Sequence, residues 1–204
     1  MIYNLHMLRE KYKNYKNINQ KISLEEKKGN ITRIKRGLYS TNIDVDGPVI
    51  SNICFGPSYI SFERALSYYG IIPEYVPAYT CATFNKTHNK SYITDKIVLL
   101  YKSIPSKAFP LYVLTMKNEE GISYKIASKE KAVCDMLYIK YPVRSIKDLK
   151  VLLYDDMRFY DEEILNLDLQ KLAILIPYYK SNTLNIFYKY LKGETANAIN
   201  RRVD

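Results

Sequence analysis

Apolar and basic positions alternate with the period of a helix at the start of the chain. Leu5, Leu8, Tyr12 and Tyr15 lie three or four residues apart, with arginine and lysine residues interspersed. Residues at this spacing share one face of a helix. The pattern therefore predicts a basic amphipathic helix within the first sixteen residues.

A second helix and a hairpin are predicted to follow. Asn17 can cap a helix that ends at about Lys28, because Gly29 supplies the left-handed residue that often terminates helices. Residues 31–40 then alternate in polarity as a strand does, with Gly37 marking a turn or bulge. Two helices followed by a basic hairpin are typical of a winged helix-turn-helix, here in a shortened form.

The rest of the chain predicts a larger unit with strands first and helices afterwards. Residues 41–48 are polar and contain glycine and proline, so we expect a linker there. The expected strands are 75–83, 92–101, 111–116 and 122–126. The expected helices, several of them capped by serine or aspartate, are 49–55, 61–69, 128–140, 145–153, 161–166, 168–175 and 183–191.

The predicted fold class is α+β. Residues 1–45 would form a winged-helix-like DNA-binding module, and residues 46–192 a C-terminal α/β domain with a mixed sheet and several helices. Residues 193–204 have little apolar content and are expected to be a loose tail.

Positive charge is concentrated at the N-terminal end. The chain has a net charge of +10, and residues 1–40 contain ten Lys or Arg and three acids, a net +7 that leaves +3 for the remainder. Such a patch indicates an anionic partner, either nucleic acid or an acidic protein surface. If the partner is DNA, Asn19 and Gln20 could reach base edges. The expected phosphate contacts are Lys16, Lys21, Lys27, Lys28, Arg33, Lys35 and Arg36.

The chain contains few residues suited to catalysis or to metal binding. Cys54, Cys81 and Cys134 are far apart and are expected to be buried thiols, and His6 and His88 are the only histidines. No phosphate-binding loop, zinc-protease motif or serine-hydrolase elbow occurs. We therefore expect no catalytic residues, no metal and no cofactor.

The acidic residues near the middle of the second half allow an alternative interpretation, a metal-dependent nuclease. Asp155 with Asp156, or the acids at residues 161–163, could hold magnesium together with phosphate oxygens. Acids at a helix start are also favoured by the helix dipole. Because the chain has no long apolar run and no secretory signal, we expect a cytoplasmic protein without membrane contacts.

Three stretches of the sequence carry a resemblance to a known family. Together and in this order they resemble the AbiEi-type antitoxins of abortive-infection (type IV) toxin–antitoxin systems, over roughly residues 15–192. The stretches are IKRGLY at residues 34–39, YISFERAL at 59–66 with YGIIPE at 69–74, and IASKEKA at 126–132 followed by Asp135 and Leu137. The sequence departs from the family in its shortened N-terminal module and in Arg64, where the family often has a small residue.

The resemblance implies a phage-defence antitoxin that opposes a nucleotidyltransferase-type toxin, directly or functionally. It also implies transcription regulation, because the family's N-terminal winged helix binds the promoter DNA of its own operon while the C-terminal domain supplies antitoxicity. No catalytic residue comes with it. The alternative hypothesis is a protein-interaction module without DNA binding, whose basic N-terminus docks on an acidic toxin.

Overall fold

The N-terminal unit consists of two helices and three short strands. The structure, a computed structural model, describes residues 1–200, and the side chains of residues 1–196. Its first elements are β1 (Ile2–Asn4), α1 (Leu5–Lys11), α2 (Ile18–Lys27), β2 (Thr32–Lys35) and β3 (Leu38–Ser40). The strands form one antiparallel sheet in the order β1-β3-β2.

Side-chain caps set the beginnings of both helices. The Oδ1 atoms of Asn4 and Asn17 each accept a hydrogen bond from the backbone amide three residues ahead. The cap at Asn17 confirms the predicted start of the second helix. The first helix is shorter than predicted, because the chain leaves helical geometry at Tyr12. Tyr15, placed by its spacing on the apolar face, is 51% exposed.

The hairpin between β2 and β3 is confirmed. Gly37 adopts a φ of +83°, which favours glycine, and the pairing register shifts between Arg33 and Lys35. The small core under this sheet is separate from the main core of the protein. It is formed by Leu8, Tyr12, Ile22, Ile31 and Tyr39.

The predicted linker at residues 41–48 is wrong, because α3 (Ile43–Cys54) passes through it. Asn42 caps this helix, and Asp44 and Asp46 lie in its first turn, where carboxylates interact favourably with the helix dipole. Asp46 is buried and accepts a hydrogen bond from Ser40 at 2.7 Å. Tertiary burial of this helix therefore outweighs its loop-like composition.

The larger unit is built on a six-stranded mixed sheet, as the predicted fold class requires. Its order is β6-β7-β5-β4-β9-β8, with parallel pairing of β5 with β7 and of β4 with β9. The central strand β5 is buried throughout, so both faces of the sheet are covered there. The strands are β4 (Tyr59–Ile60), β5 (Tyr79–Thr83), β6 (Lys90–Ile93), β7 (Val98–Ser103), β8 (Val113–Lys117) and β9 (Ser123–Ala127).

One predicted strand is a hairpin in the structure. Residues 92–101, expected to be continuous, belong to both β6 and β7, which pair antiparallel. The Thr94 amide donates to the carbonyl of Ile97 at 3.0 Å and closes the turn. The β-branched and aromatic composition predicted the extended conformation but did not predict the turn.

Helices cover the sheet and complete the main core. Helix α3 lies against β4, β5 and β9, and α5 packs on α4, α8 and α9. No helix within the described part of the chain is long and apolar enough to cross a membrane. The remaining helical elements are α4 (Phe62–Tyr68), α5 (Lys129–Ile139), α6 (Ile146–Lys150), a π-helical turn (Val151–Asp156), α7 (Asp161–Leu165), α8 (Leu169–Leu175), a 3-10 turn (Ile176–Tyr178) and α9 (Asn182–Asn200).

Some of the capping residues predicted from the local sequence are confirmed, and others are not. Ser128 and Ser145 cap α5 and α6 as expected. Ser61 precedes α4 but makes no cap bond, because the Arg64 amide three residues ahead donates to Thr80 Oγ1, while the Ser61 hydroxyl donates to Asp135. The predicted loose tail is wrong for residues 193–200, which continue α9; residues 201–204 lie outside the described part of the chain.

Candidate nucleic-acid interface

Helix α2 presents a polar face to solvent. Ile22 and Glu25 point into the unit and are buried, whereas Asn19, Gln20 and Lys27 are exposed. Ile22 packs in the small core, which fixes the orientation of the helix. The two amide side chains predicted to reach base edges therefore belong to consecutive residues of the first turn, and both are exposed to solvent.

A shallow depression adjoins this face at the start of α2. Lys16 and Gln20 line it together with Tyr15 and Leu24, and the latter two are 51% and 44% exposed. Lys21 makes a cation–π contact with this tyrosine, because its Nζ lies 4.7 Å from the centroid of the Tyr15 ring. The face thus combines cations with exposed apolar surface.

Lys21 differs from the other predicted phosphate contacts because it has an internal partner. Its Nζ donates to Glu25 Oε1 at 2.7 Å, and the Asn30 side chain donates to the other carboxylate oxygen at 2.7 Å. The Lys21 and Asn30 hydrogen bonds lower the pKa of Glu25, and the Glu25 hydrogen bond raises the pKa of Lys21. This pair ties the end of α2 to the turn before β2. The four-residue spacing of Lys21 and Glu25 on a helix is the sequence signal from which this pair could have been predicted.

The cations of the β2–β3 hairpin likewise include exposed side chains and one that is bonded within the protein. Arg33 and Arg36 are exposed, but Lys35 is half-buried and its Nζ donates to the backbone carbonyl of Cys54. The same Nζ lies 5.7 Å from the ring centroid of Tyr92. Lys35 therefore connects the N-terminal unit to the larger sheet.

Seven of the nine predicted residues lie exposed on the N-terminal unit. None of the five cations in this set forms an ion pair with a residue whose side chain the structure describes. Unpaired exposed cations beside amide side chains can bind phosphates and base edges. The exposed residues are Lys16, Asn19, Gln20, Lys27, Lys28, Arg33 and Arg36.

A buried polar cluster in the larger unit was missed by the sequence analysis. Lys131 Nζ donates to the Ala108 carbonyl at 2.8 Å and to the Tyr179 hydroxyl at 2.6 Å. Asp135 Oδ2 accepts from the Tyr59 hydroxyl at 2.9 Å and from Ser61 at 2.7 Å. Burial raises the pKa values of both tyrosines well above 10, so their hydroxyls stay protonated and donate. The cluster joins the second and third family-like stretches.

The acidic residues considered for magnesium do not converge. Asp156 accepts a hydrogen bond from Tyr141, and Glu163 pairs with Lys129. Within residues 1–196, no three His, Cys, Asp or Glu side chains are grouped closely enough to hold a metal ion. The three cysteines are buried as predicted, and burial raises the pKa of Cys81 to about 12.

Compared with known proteins, the chain matches no protein-family model, and no curated protein matches it significantly in sequence. The candidate site is the exposed surface of the N-terminal unit. That surface contains seven of the nine predicted residues, all between Lys16 and Arg36 in the chain.

Proposed function

We propose that this protein is an antitoxin that neutralises a nucleotidyltransferase-type toxin and represses its own operon by binding the promoter DNA. The observation that carries the DNA-binding part is that seven of the nine predicted contact residues are exposed on the N-terminal unit, along α2 and at the β2–β3 hairpin. The antitoxin part rests on the three stretches that resemble the AbiEi family. In this proposal the protein catalyses no reaction and uses no cofactor.

The N-terminal unit acts in this proposal as a winged helix-turn-helix. The order of its elements supports this, because β2 and β3 form a hairpin directly after the second helix, where a wing belongs. Asn19 and Gln20 lie in the first turn of α2, the end of a recognition helix that contacts base edges. These two side chains therefore carry sequence recognition.

The exposed cations bind the phosphate backbone in this arrangement. To bind a phosphate, Lys21 would have to break its hydrogen bond with Glu25, and Lys35 its hydrogen bond with the Cys54 carbonyl. We therefore assign these two lysines a structural role. Phosphate contacts position the protein on the duplex and carry most of the salt dependence. The remaining contacts are Lys16, Lys27, Lys28, Arg33 and Arg36.

The larger unit supplies antitoxicity in the proposal. Its two family-like stretches lie side by side, since Ile60 pairs with Ile126 in parallel strands and Ser61 donates to Asp135. This contact supports a common structural role for the two stretches. The toxin is the product of a neighbouring gene, and it is bound directly or opposed through its target.

The test is expression of the full-length protein with the adjacent toxin candidate, read out as growth and as activity of the operon promoter. Deleting residues 1–45 is unsuitable, because Ile34 and Leu38 belong to the main core. We instead compare the unaltered protein with Arg33→Ala/Arg36→Ala, and with Arg144→Ala/Lys147→Ala as the matched control, since both of these side chains are exposed.

The unaltered protein and the control are expected to restore growth and repress the promoter, whereas the Arg33/Arg36 variant restores growth without repression. Failure of the unaltered protein to restore growth would refute the antitoxin assignment. Growth rescue without repression by the unaltered protein would favour the protein-interaction module. Loss of rescue in the Arg33/Arg36 variant would place the basic face in the toxin-neutralising surface.

A further inference from the structure

A second basic surface lies on residues 84–96 of the larger unit, which comprise the loop after β5, strand β6 and the turn toward β7 and are called the hairpin below. Residues 84–96 contain three lysines, one histidine and a single acid, Asp95. Lys90 and Lys96 are exposed and Lys86 is half-buried. None of the three forms an ion pair with a side chain that the structure describes. The hairpin therefore holds excess positive charge at an edge of the sheet.

This hairpin adjoins the wing. Strand β6 packs beside β2, and the two ammonium groups of Lys35 and Lys90 lie 5.7 and 5.5 Å from the centroid of the same Tyr92 ring. Lys86 Nζ lies 5.0 Å from the ring centroid of Phe55, which is 6.4 Å from that of Tyr92. Three ammonium groups, one from β2 and two from residues 86–90, thus lie close to two adjacent aromatic rings.

Gathering three cations costs electrostatic free energy unless an anion is bound. Each cation–π contact orders a lysine side chain without neutralising its charge. Like charges collected without a carboxylate partner raise the local potential and attract an anion. The exposed guanidinium groups of Arg33 and Arg36 lie on the adjoining hairpin of the N-terminal unit.

We infer that Lys86 and Lys90 bind backbone phosphates of duplex DNA and so continue the contact surface of the wing into the larger unit. This inference rests on the proposed DNA binding of the N-terminal unit. A duplex is favoured over an acidic protein because these cations adjoin β2, the strand of the wing whose Arg33 is already assigned to a phosphate contact. The contact is independent of sequence, so it strengthens binding to any duplex.

The test compares Lys86→Gln/Lys90→Gln with the unaltered protein and with Lys147→Gln/Lys189→Gln, a control that removes two exposed charges from α6 and α9. Glutamine keeps most of the side-chain length, and thermal melting checks that each variant is folded. Fluorescence anisotropy measures the affinity for two duplexes, the operon promoter and a shuffled sequence of equal length, at several salt concentrations. Lys86→Glu/Lys90→Glu provides a stronger change at the same positions.

Removal of two phosphate contacts is expected to reduce the slope of log K against log salt by about 1.8, at about 0.9 for each contact. When salt rises from about 50 to 200 mM, the fall in affinity of the hairpin variant should then be about 12-fold smaller than that of the unaltered protein. The reduction should be equal for both duplexes, absent in the control, and larger in the glutamate variant.

Three results would overturn the inference. Unaltered slopes in both hairpin variants, with normal DNA binding by the unaltered protein, would reject the hairpin contact alone. Loss of growth rescue by the hairpin variant in the toxin co-expression assay, without a change in slope, would assign the surface to an acidic protein. Failure of the unaltered protein to bind either duplex at about 50 mM salt would reject both the hairpin contact and the proposed DNA binding.

Discussion

Lys131 and Asp135 lie one helical turn apart on α5, and their side chains form a fully buried ion pair at 3.1 Å between Nζ and Oδ1. The ammonium group also donates hydrogen bonds to the Tyr179 hydroxyl and to the Ala108 carbonyl. The carboxylate accepts from Tyr59 and Ser61. A buried pair is tolerated when its remaining hydrogen-bonding groups are satisfied in this way.

Asp135→Asn is expected to destabilise the protein by about 3–5 kcal/mol, because it leaves the Lys131 charge buried without compensation. Urea denaturation measures the free energy of unfolding. Asp155→Asn, the same substitution at an exposed position, serves as the control and should change stability by less than about 0.5 kcal/mol. Equal stabilities of the two variants would show that the buried pair contributes nothing.

Asn19→Ala/Gln20→Ala is expected to reduce discrimination between the operon promoter and a shuffled duplex by about 1–3 kcal/mol for each base that is no longer recognised. The salt dependence should stay unchanged, because neither side chain is charged. Anisotropy titrations with both duplexes measure the ratio of affinities. Asn166→Ala/Gln170→Ala removes the same pair of exposed side chains from the larger unit and should preserve the ratio. A preserved ratio in the Asn19/Gln20 variant would contradict their role in recognition.

Glu25 should make stability depend on pH. Its pKa is lowered in the folded protein by the Lys21 and Asn30 hydrogen bonds, so the folded state binds its proton less readily than the unfolded chain does. The stabilising contribution is fully present above the unfolded-state pKa of about 4.3. It is lost as the pH falls through the lower folded-state pKa. Urea denaturation between about pH 2 and 6 should show a shallower acid loss of stability in Glu25→Gln.

Asn30→Ala serves as the intermediate case for this profile, because it removes one of the two hydrogen bonds and leaves the Lys21 contact. Its acid loss of stability should fall between those of the unaltered protein and Glu25→Gln. Superimposable profiles for all three proteins would mean that the folded state does not perturb this carboxylate.

Gly47→Ala is expected to destabilise the protein by about 1–3 kcal/mol through overpacking. A Cβ atom at this position would lie 2.7 Å from Cζ of Tyr79, in the buried contact of α3 with β5. Gly193→Ala, also within a helix but with nothing within 4 Å of the added carbon, should stabilise by about 0.5–1 kcal/mol. Thermal and urea denaturation compare the two. Stabilisation by both substitutions would contradict the close packing at Gly47.

Several local features were predictable because they depend on residues a few positions apart. The side chains of Asn17, Ser128 and Ser145 cap helices at the predicted positions, and Gly37 adopts the positive φ expected of a tight turn. Each cap involves a backbone group within three residues of the side chain. The strand composition likewise predicted a mixed sheet, and the basic N-terminus predicted a polar surface whose partner stays a prediction.

Features that depend on distant residues were not predictable in the same way. The polar segment before Pro48 is helical because Asp46 accepts a hydrogen bond from Ser40 and because the helix packs against the sheet. Lys35, predicted to contact phosphate, donates instead to the carbonyl of Cys54. The pattern of apolar and polar residues along the chain does not indicate such hydrogen-bond partners, because they belong to elements that come into contact only in the folded protein.

By itself, the sequence determined the α+β class, the basic character of the first forty residues and the short-range caps and turns, because these follow from composition and from contacts within one helical turn. Tertiary structure alone decided which cations stay exposed and which are held by Glu25 or Cys54. It also buried Lys131 with Asp135 and brought Lys90 to the same Tyr92 ring as Lys35. Long-range packing sets these relationships, because charge pairing and desolvation depend on neighbours that are distant in the chain.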